Sequence, residues 1–386
     1  MTAALTPGPR ADMSARVQRP LSHDVIERAR RPFDEAVPLP RAAYVDAEIF
    51  AFERDRIFGR SWICVAREDE VAAPGRRLVA PLTRAGVLVV RGVDLALRAF
   101  HNTCLHRAMP LATGPGRSDH LTCPYHGWRY DTRGRLDHAP DALACLEQRR
   151  RELALVRVDV WGGFVFICLD DGAPPLREAL GGVPPWLVDA PVSSLVSVHR
   201  REHTTRANWK LVVENFQESH HFPSVHPLLE RLTPTAAARS WGAGGPWLGG
   251  TMKIEAPNTT VSATGASTRR AISDQGVVFD AMLFPGLLTS LQPDYLLTYR
   301  LWPVAVDETR VTFEILVHPA SAGPGADHDD LVSFWARVNE EDRAVVERQA
   351  EGMASPGPDP VAYSRVEDGV HAFDALVARA HEGSDR

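Results

Sequence analysis

Lysine is almost missing from this chain of 386 residues: only Lys210 and Lys253 occur, and arginine supplies the rest of the 43 basic residues. The net charge is −6, so no excess of positive charge points to nucleic acid or an anionic membrane as a partner. No apolar run approaches the ~20 residues that a membrane helix needs. The first 20 residues carry Arg, Pro and Ser but no apolar h-region, which excludes a secretory signal. Their composition admits a transit segment, but Pro7, Pro9 and Pro20 favour a flexible tail, so residues 1–40 are expected to form a flexible extension. Internal repeats are absent. Gly242 to Gly245 is glycine-rich but lacks the strand–helix context and spacing of a dinucleotide fingerprint, and is expected to be a loop. Cysteine is scarce as well, with five in all. Cys64 and Cys168 sit in apolar strand-like runs and, with Cys145, are expected to be free thiols rather than disulfides. Spare thiols suit a reducing compartment, so a cytoplasmic location is expected.

What is present is a normal globular composition and an unusual arrangement of ligands. The apolar fraction is 44%, enough for sizeable cores, and the length suggests two to three domains. Cys104-Leu105-His106 is followed, after sixteen residues, by Cys123-Pro124-Tyr125-His126. Each segment offers one thiolate and one imidazole. Two such loops facing each other can give both thiolates to one metal and both imidazoles to a second. A Rieske [2Fe–2S] centre needs that division. A structural zinc site usually groups a Cys pair before a His pair. Gly114-Pro115-Gly116 between the pairs and Gly127 after the second supply turns.

Residues 46–59 read as a helix. Short strand-like runs follow at Ser61 to Ala66, Arg77 to Ala80, Val87 to Arg91 and Leu97 to Asn102, as in a small β domain. Tyr130 to Leu136 reads as a hairpin, and Gly163 to Ile167 as a buried strand. Pro174-Pro175 marks a boundary. Beyond it, strand-like runs at 194–204, 247–256, 276–284, 286–300 and 309–318 precede a helical stretch at 328–352. The expected division is an extension at 1–40, a cluster domain at 41–172 and a second domain at 173–386.

A second group of ligands lies in that second region. His220, His221 and His226 fall within seven residues. A mononuclear non-haem Fe(II) site uses two histidines and one carboxylate with open positions for oxygen. Glu218 and His221 are at i, i+3, expected on one helical face, with Pro223 stopping that helix. Chemistry alone does not choose among the three histidines. For the carboxylate, Leu331, Phe334, Trp335, Val338, Val345 and Gln349 form one stripe at helical spacing, and Asp342 lies on it. An acid on a core-facing stripe is costly unless paired or metal-bound, so Asp342 is the expected third ligand, with Glu341 next. An ion pair between Asp342 and Arg206 is the alternative.

The run Ala99 to Arg107, then Cys123 to Trp128, resembles the Rieske non-haem iron oxygenases, with Ala108 where that family often has Gly. The segment from Asn208-Trp209-Lys210 through Glu214-Asn215 to Glu218, His221 and His226 resembles the catalytic signature of the same family. The resemblance covers about residues 40 to 375. It implies an α+β chain: an all-β Rieske domain followed by a helix-grip (START/Bet v 1-like) antiparallel-sheet domain. It implies Cys104, His106, Cys123 and His126 as cluster ligands and His221, His226 and Asp342 as ligands of a mononuclear Fe(II). His220 stands where the family commonly has Tyr, which leaves it as a second candidate ligand or a substrate contact. Asn215 and Glu218 are expected in the catalytic machinery. Glu218 would link the Rieske histidine of one subunit to the iron-binding histidine of the next, which implies a ring, usually a homotrimer. The reaction implied is O₂-dependent oxidation of a C–H bond, with electrons from NAD(P)H through a separate flavin or iron–sulfur reductase, with or without a ferredoxin.

Gly250 to Lys253, Phe284 to Tyr295 and Glu367 to Phe373 resemble the glycine betaine and stachydrine demethylase branch, with choline and carnitine monooxygenases more distant. Small quaternary amines are the implied substrates. Phe222, Trp241, Trp247, Phe279, Phe284, Tyr295 and Tyr299, with His220, are the expected pocket residues, the aromatics offering faces to a cation. An uncharged aromatic or natural-product substrate is the second reading. A Rieske protein that only carries electrons is the third.

Overall fold

In the computed structural model of this chain, the described residues are 20–140, 151–242, 245–273 and 276–382. Cys145 and the middle of the glycine-rich stretch lie outside them. The cluster domain is a seven-stranded antiparallel sheet with a three-stranded sheet beside it. Its strands are β1 (Ile63–Arg67), β2 (Arg76–Ala80), β3 (Val87–Arg91), β4 (Leu97–His101), β5 (Gly116–Arg117), β6 (His120–Thr122), β7 (Arg129–Asp131), β8 (Leu136–His138), β9 (Leu155–Trp161) and β10 (Phe164–Cys168). The large sheet runs β1-β10-β9-β4-β3-β2-β5 and the small one β6-β7-β8. Val87–Val90 and Phe164–Cys168 are fully buried. They are β-branched or aromatic for the most part, as a strand covered on both faces requires. Leu88, Val90, Phe100, Trp128 and Tyr130 form a separate core with both cluster cysteines.

The second sheet runs β11-β17-β16-β15-β14-β13-β12. Its strands are β11 (Val196–Thr205), β12 (Arg239–Gly242), β13 (Trp247–Lys253), β14 (Val277–Leu283), β15 (Leu287–Leu291), β16 (Tyr295–Ala305) and β17 (Glu308–Val317). Where the sequence reads as one run from 286 to 300, the chain turns at Gln292–Asp294 and makes two strands. The helices, in chain order, are α1 (His23–Ala29), α2 (Ala42–Val45), α3 (Ala47–Glu53), α4 (Leu176–Ala179), α5 (Pro185–Asp189), α6 (Trp209–Phe216), α7 (Phe222–Val225), α8 (Pro227–Leu232), α9 (Asp329–Ala354) and α10 (Asp368–Glu382). α9 buries Leu331, Phe334, Trp335, Val338 and Val346. Val346 replaces the expected Val345, which is exposed. α10 is not anticipated by the sequence reading.

Residues 20–58 do not behave as a tail or as part of the cluster sheet, which begins at Ile63. α1 packs on α10, and the Leu21 N–H donates to His381 Nδ1 at 3.1 Å. Lys210 Nζ on α6 lies 2.7 Å from Glu53 Oε1 on α3, with both side chains 0% exposed. Trp209 Nε1 donates to the same carboxylate at 2.9 Å. Asn208 caps α6 by accepting from the Lys210 N–H, and its amide donates to Tyr44 O and Val306 O. The N-terminal segment is thus fastened to the catalytic domain by buried polar contacts as well as apolar ones. Among the described residues no helix is long and apolar enough to cross a membrane.

Candidate functional site

The two cluster loops share one backbone design. In the first, the Cys104 N–H donates to Met109 O and the Ala108 N–H to Cys104 O. In the second, the Cys123 N–H donates to Trp128 O and the Gly127 N–H to Cys123 O. The fourth residue after each cysteine takes a left-handed conformation, Gly127 at φ 71° and Ala108 at φ 56°. That requirement explains why glycine suits position 108. Cys104 and Cys123 are buried in one core, whereas His106 and His126 are exposed. The imidazoles stand 4.7 Å apart, and His106 stacks on Trp128 at 4.8 Å. The Tyr130 hydroxyl lies 3.2 Å from Cys104 Sγ and accepts from the Leu105 N–H at 2.9 Å. Two inner sulfurs and two outer imidazoles fit a [2Fe–2S] cluster ligated asymmetrically.

Glu218 and His221 do not share a helix. α6 ends at Phe216, and both residues sit in the turn before α7, where Pro223 occupies the first helical turn. The i, i+3 pairing survives because the turn is tight. Glu218 Oε1 lies 2.6 Å from His221 Nδ1, and Oε2 accepts from the His221 N–H at 3.1 Å. His221 Nε2 then faces Asp342 Oδ1 at 3.4 Å. His226, between α7 and α8, presents Nε2 to the same oxygen at 2.8 Å, while its Nδ1 meets Glu341 Oε2 at 2.8 Å. Both imidazoles therefore turn one nitrogen to an orienting acid and the other to a common point. Ligand atoms of His221, His226 and Asp342 lie within 4.8 Å of one another. Burial opposes protonation of His221, but hydrogen bonds to Asp342 and Glu218 outweigh it and raise the imidazole to about 9. A site that raises its imidazoles this way favours positive charge, as a metal-binding triad does.

Arg206 does not pair with Asp342; it reaches Glu347 at 2.7 Å. Glu341, the next candidate for the triad, stands behind His226 and is itself held by Arg337 at 2.8 Å. Its role as the partner of His226 Nδ1 is missed by sequence reasoning, because the register between α9 and the turn after α7 is not visible in spacing.

A cavity of about 890 Å³ opens beside these residues, between the sheet, α6 and α9. Asn215, Glu218, His220, Phe222 and Tyr299 all line it. Five other expected pocket residues do not. Trp241 and Phe279 pack on Trp186, and Trp247 packs on Trp161 and donates to Leu180 O. Phe284 packs among Trp209 and Phe373. Tyr295 is core, donating to Val261 O and accepting from Trp335 Nε1. Strand alternation is the reason for Trp241, Trp247 and Phe279, whereas Tyr295 shares the face of Leu297 and Tyr299 but is covered by Val261 and Trp335. On β14, Val278 and Asp280 face the cavity, which sends Phe279 to the other face.

Comparison with known proteins agrees with this geometry. Residues 61–149 match the Rieske [2Fe-2S] domain and residues 192–383 the ring hydroxylating alpha subunit (catalytic domain). The glycine betaine monooxygenase oxygenase subunit of Chromohalobacter salexigens is 30% identical over 384 residues, covering 88% of this chain and 86% of that one. The carnitine monooxygenase oxygenase subunit of Escherichia coli is 35% identical over 198 residues, 50% of this chain and 53% of that one. The solved quaternary ammonium Rieske monooxygenase CntA, in complex with an inhibitor, has the same fold at a TM-score of 0.81 and 23% identity, covering 94% of this chain and 99% of that one. The chain belongs to the Rieske non-haem iron oxygenase alpha subunits. It is the terminal oxygenase component of such a system, with a [2Fe–2S] domain, a catalytic domain for mononuclear iron and O₂ as oxidant. Members of this family draw electrons from a separate electron-transfer partner and act on small molecules.

Proposed function

We propose that this enzyme oxidises an N-methyl group of a small quaternary amine. The methyl becomes a hydroxymethyl, which leaves as formaldehyde and gives the demethylated amine. One oxygen atom enters the C–H bond, and the other leaves as water with two electrons and two protons. The convergence of His221 Nε2, His226 Nε2 and Asp342 Oδ1 on one point beside the cavity carries the oxygenase assignment. Cys104 and Cys123 with His106 and His126 hold the cluster. His221, His226 and Asp342 hold Fe(II), which activates O₂ when reduced and open. Glu218 and Glu341 keep the two imidazoles oriented, each accepting at Nδ1 so that Nε2 stays free for the metal. Val278, Leu288, Leu297 and Leu301 give the cavity an apolar wall for the methyl groups. Asn339 holds the Tyr299 hydroxyl at 2.9 Å.

The substrate class rests on the relatives named for glycine betaine, carnitine and quaternary ammonium substrates and on the aromatic faces of Phe222, Tyr299 and Trp335 in the cavity wall. The subunits form a homotrimer in which Glu218 links His221 of one subunit to a cluster histidine of its neighbour. Electrons reach the cluster from NAD(P)H through a flavin and iron–sulfur reductase. The test is oxygen uptake and formaldehyde release by the holoenzyme with a surrogate reductase. The panel is glycine betaine, stachydrine, carnitine, choline and uncharged aromatics. One formaldehyde per O₂ with a quaternary amine is expected. Turnover of aromatics alone would replace this substrate class with the uncharged one.

A further inference from the structure

We propose that Asp280 is the anionic anchor for the ammonium group of the substrate. The proposal rests on the quaternary-amine reading and names the residue that would select that charge.

Asp280 lies on β14, between Gly250 on β13 and Ser290 on β15 in the cross-strand register. All three line the cavity. The wall around them is largely apolar, with Val278, Leu288, Leu297 and Leu301. Other acids facing the cavity already have partners. Glu218 is engaged by His221, Asp342 by both histidines, and Asp368 accepts from the Ser240 hydroxyl at 2.8 Å. Among the described residues no cation acts on Asp280. Burial pushes its carboxyl up to about 7, and the Ser290 hydroxyl alone draws it back. An ionised carboxyl in such a wall is costly unless a counter-charge arrives. An arriving ammonium supplies that charge.

The position also suits the chemistry. Asp342, Asp280 and Tyr299 all line this one cavity, and Tyr299 feels the charge of both acids. Gly250 leaves the space beside Asp280 open. A Cβ there would touch only Arg239 O, at 3.4 Å. A trimethylammonium head has room next to the acid, with the Tyr299 ring as a second attractive surface. A neutral isostere of the same shape gains the apolar wall but leaves the carboxylate unpaired.

The experiment measures binding to the iron-loaded holoenzyme by calorimetry. The ligands are choline and 3,3-dimethylbutan-1-ol, in which carbon replaces the quaternary nitrogen. If another amine of the panel turns over faster, it and its own carbon isostere are used. Wild-type enzyme should bind the cation at least about tenfold more tightly than the isostere, as a desolvated charge pair provides. Asp280→Asn keeps the shape and should reduce that ratio to about twofold or less, with the affinity for the neutral ligand unchanged. Asp280→Ser replaces it if the Asn variant does not load iron, and Asp280→Glu should retain much of the preference. A preference for the cation that persists undiminished in the iron-loaded uncharged variant overturns the anchor while leaving the substrate class standing. Absence of any preference in the wild type overturns the substrate class and the anchor with it.

Discussion

Replacing Lys210 by Met should be among the more damaging single changes outside the metal sites. The ammonium lies 2.7 Å from Glu53 Oε1 and neither side chain has any exposure. Removing it leaves a carboxylate buried between α3 and α6. Breaking such a pair costs about 3–5 kcal/mol, because one uncompensated charge stays in the interior. Met keeps most of the stem packing, so the loss is electrostatic, with a lesser part from the Tyr44 and Trp209 rings 5.6 and 5.3 Å from the ammonium. Trp209 Nε1 and, at 3.4 Å, His381 Nε2 still face the stranded carboxylate. That places the cost near the lower limit, about 3 kcal/mol. For a domain of this size 1 kcal/mol shifts the melting temperature by about 2–4 °C, so a fall of about 6–12 °C is expected. The double variant Glu53→Gln/Lys210→Met removes both charges and should recover at least half of that loss. Calorimetric melting of the iron-loaded protein reads both variants. A single variant that melts within 2 °C of wild type, or a double variant worse than the single, would refute the reasoning.

Ala108→Gly relieves the left-handed strain at φ 56° and should raise the temperature of cluster loss, followed by visible absorbance, by a few degrees for a gain of about 0.5–1 kcal/mol; a lower temperature contradicts it. Asp374 and Glu214 are two buried carboxyls. Burial pushes Asp374 up to about 7 and Glu214 well up, beside the Tyr44 and Tyr363 hydroxyls and Lys210. Folded values above the unfolded ones favour the protonated forms, so the stability they contribute is fully present at low pH and falls as pH rises through about 7. Melting temperatures at pH 6 and pH 8 should differ less in Asp374→Asn than in wild type, and equal slopes would show that the pair does not titrate there. A mixed ring of His106→Ala and Asp342→Ala subunits should regain part of the activity that neither parent has; no recovery in well-formed hybrids would place electron transfer within one chain and remove the linking role of Glu218.

Much of the candidate site is legible in the sequence because its ligands are local. Cys104 with His106 and Cys123 with His126 are each set by one loop, so spacing carries them; spacing also exposes the histidine group after Glu218, but the choice of His221 and His226 over His220 comes from the family resemblance. Asp342 is legible for another reason: a long helix has a regular face, and an acid on its apolar stripe is conspicuous. What spacing cannot carry is pairing between distant segments. Glu341 meets His226 through the docking of α9. Asp280 faces the cavity through a strand register that sends Phe279, Trp241 and Trp247 to the opposite core. Aromatic content alone does not tell those faces apart, since one residue of register exchanges them. The ordered N-terminal segment is illegible for a similar reason. Its partners, His381, Asp374 and Lys210, lie more than 150 residues away.

The central claim is that one chain holds two separate metal sites, one ligated by Cys104, His106, Cys123 and His126 and the other by His221, His226 and Asp342. Iron and acid-labile sulfide analysis of wild type beside Asp342→Ala tests it most directly. Wild type should hold three irons and two sulfides per chain, from one two-iron cluster and one mononuclear site. Asp342→Ala should hold two irons and two sulfides, with the cluster spectrum intact and turnover lost. Three irons and full activity in Asp342→Ala, or zinc without labile sulfide in the wild type, would contradict the account.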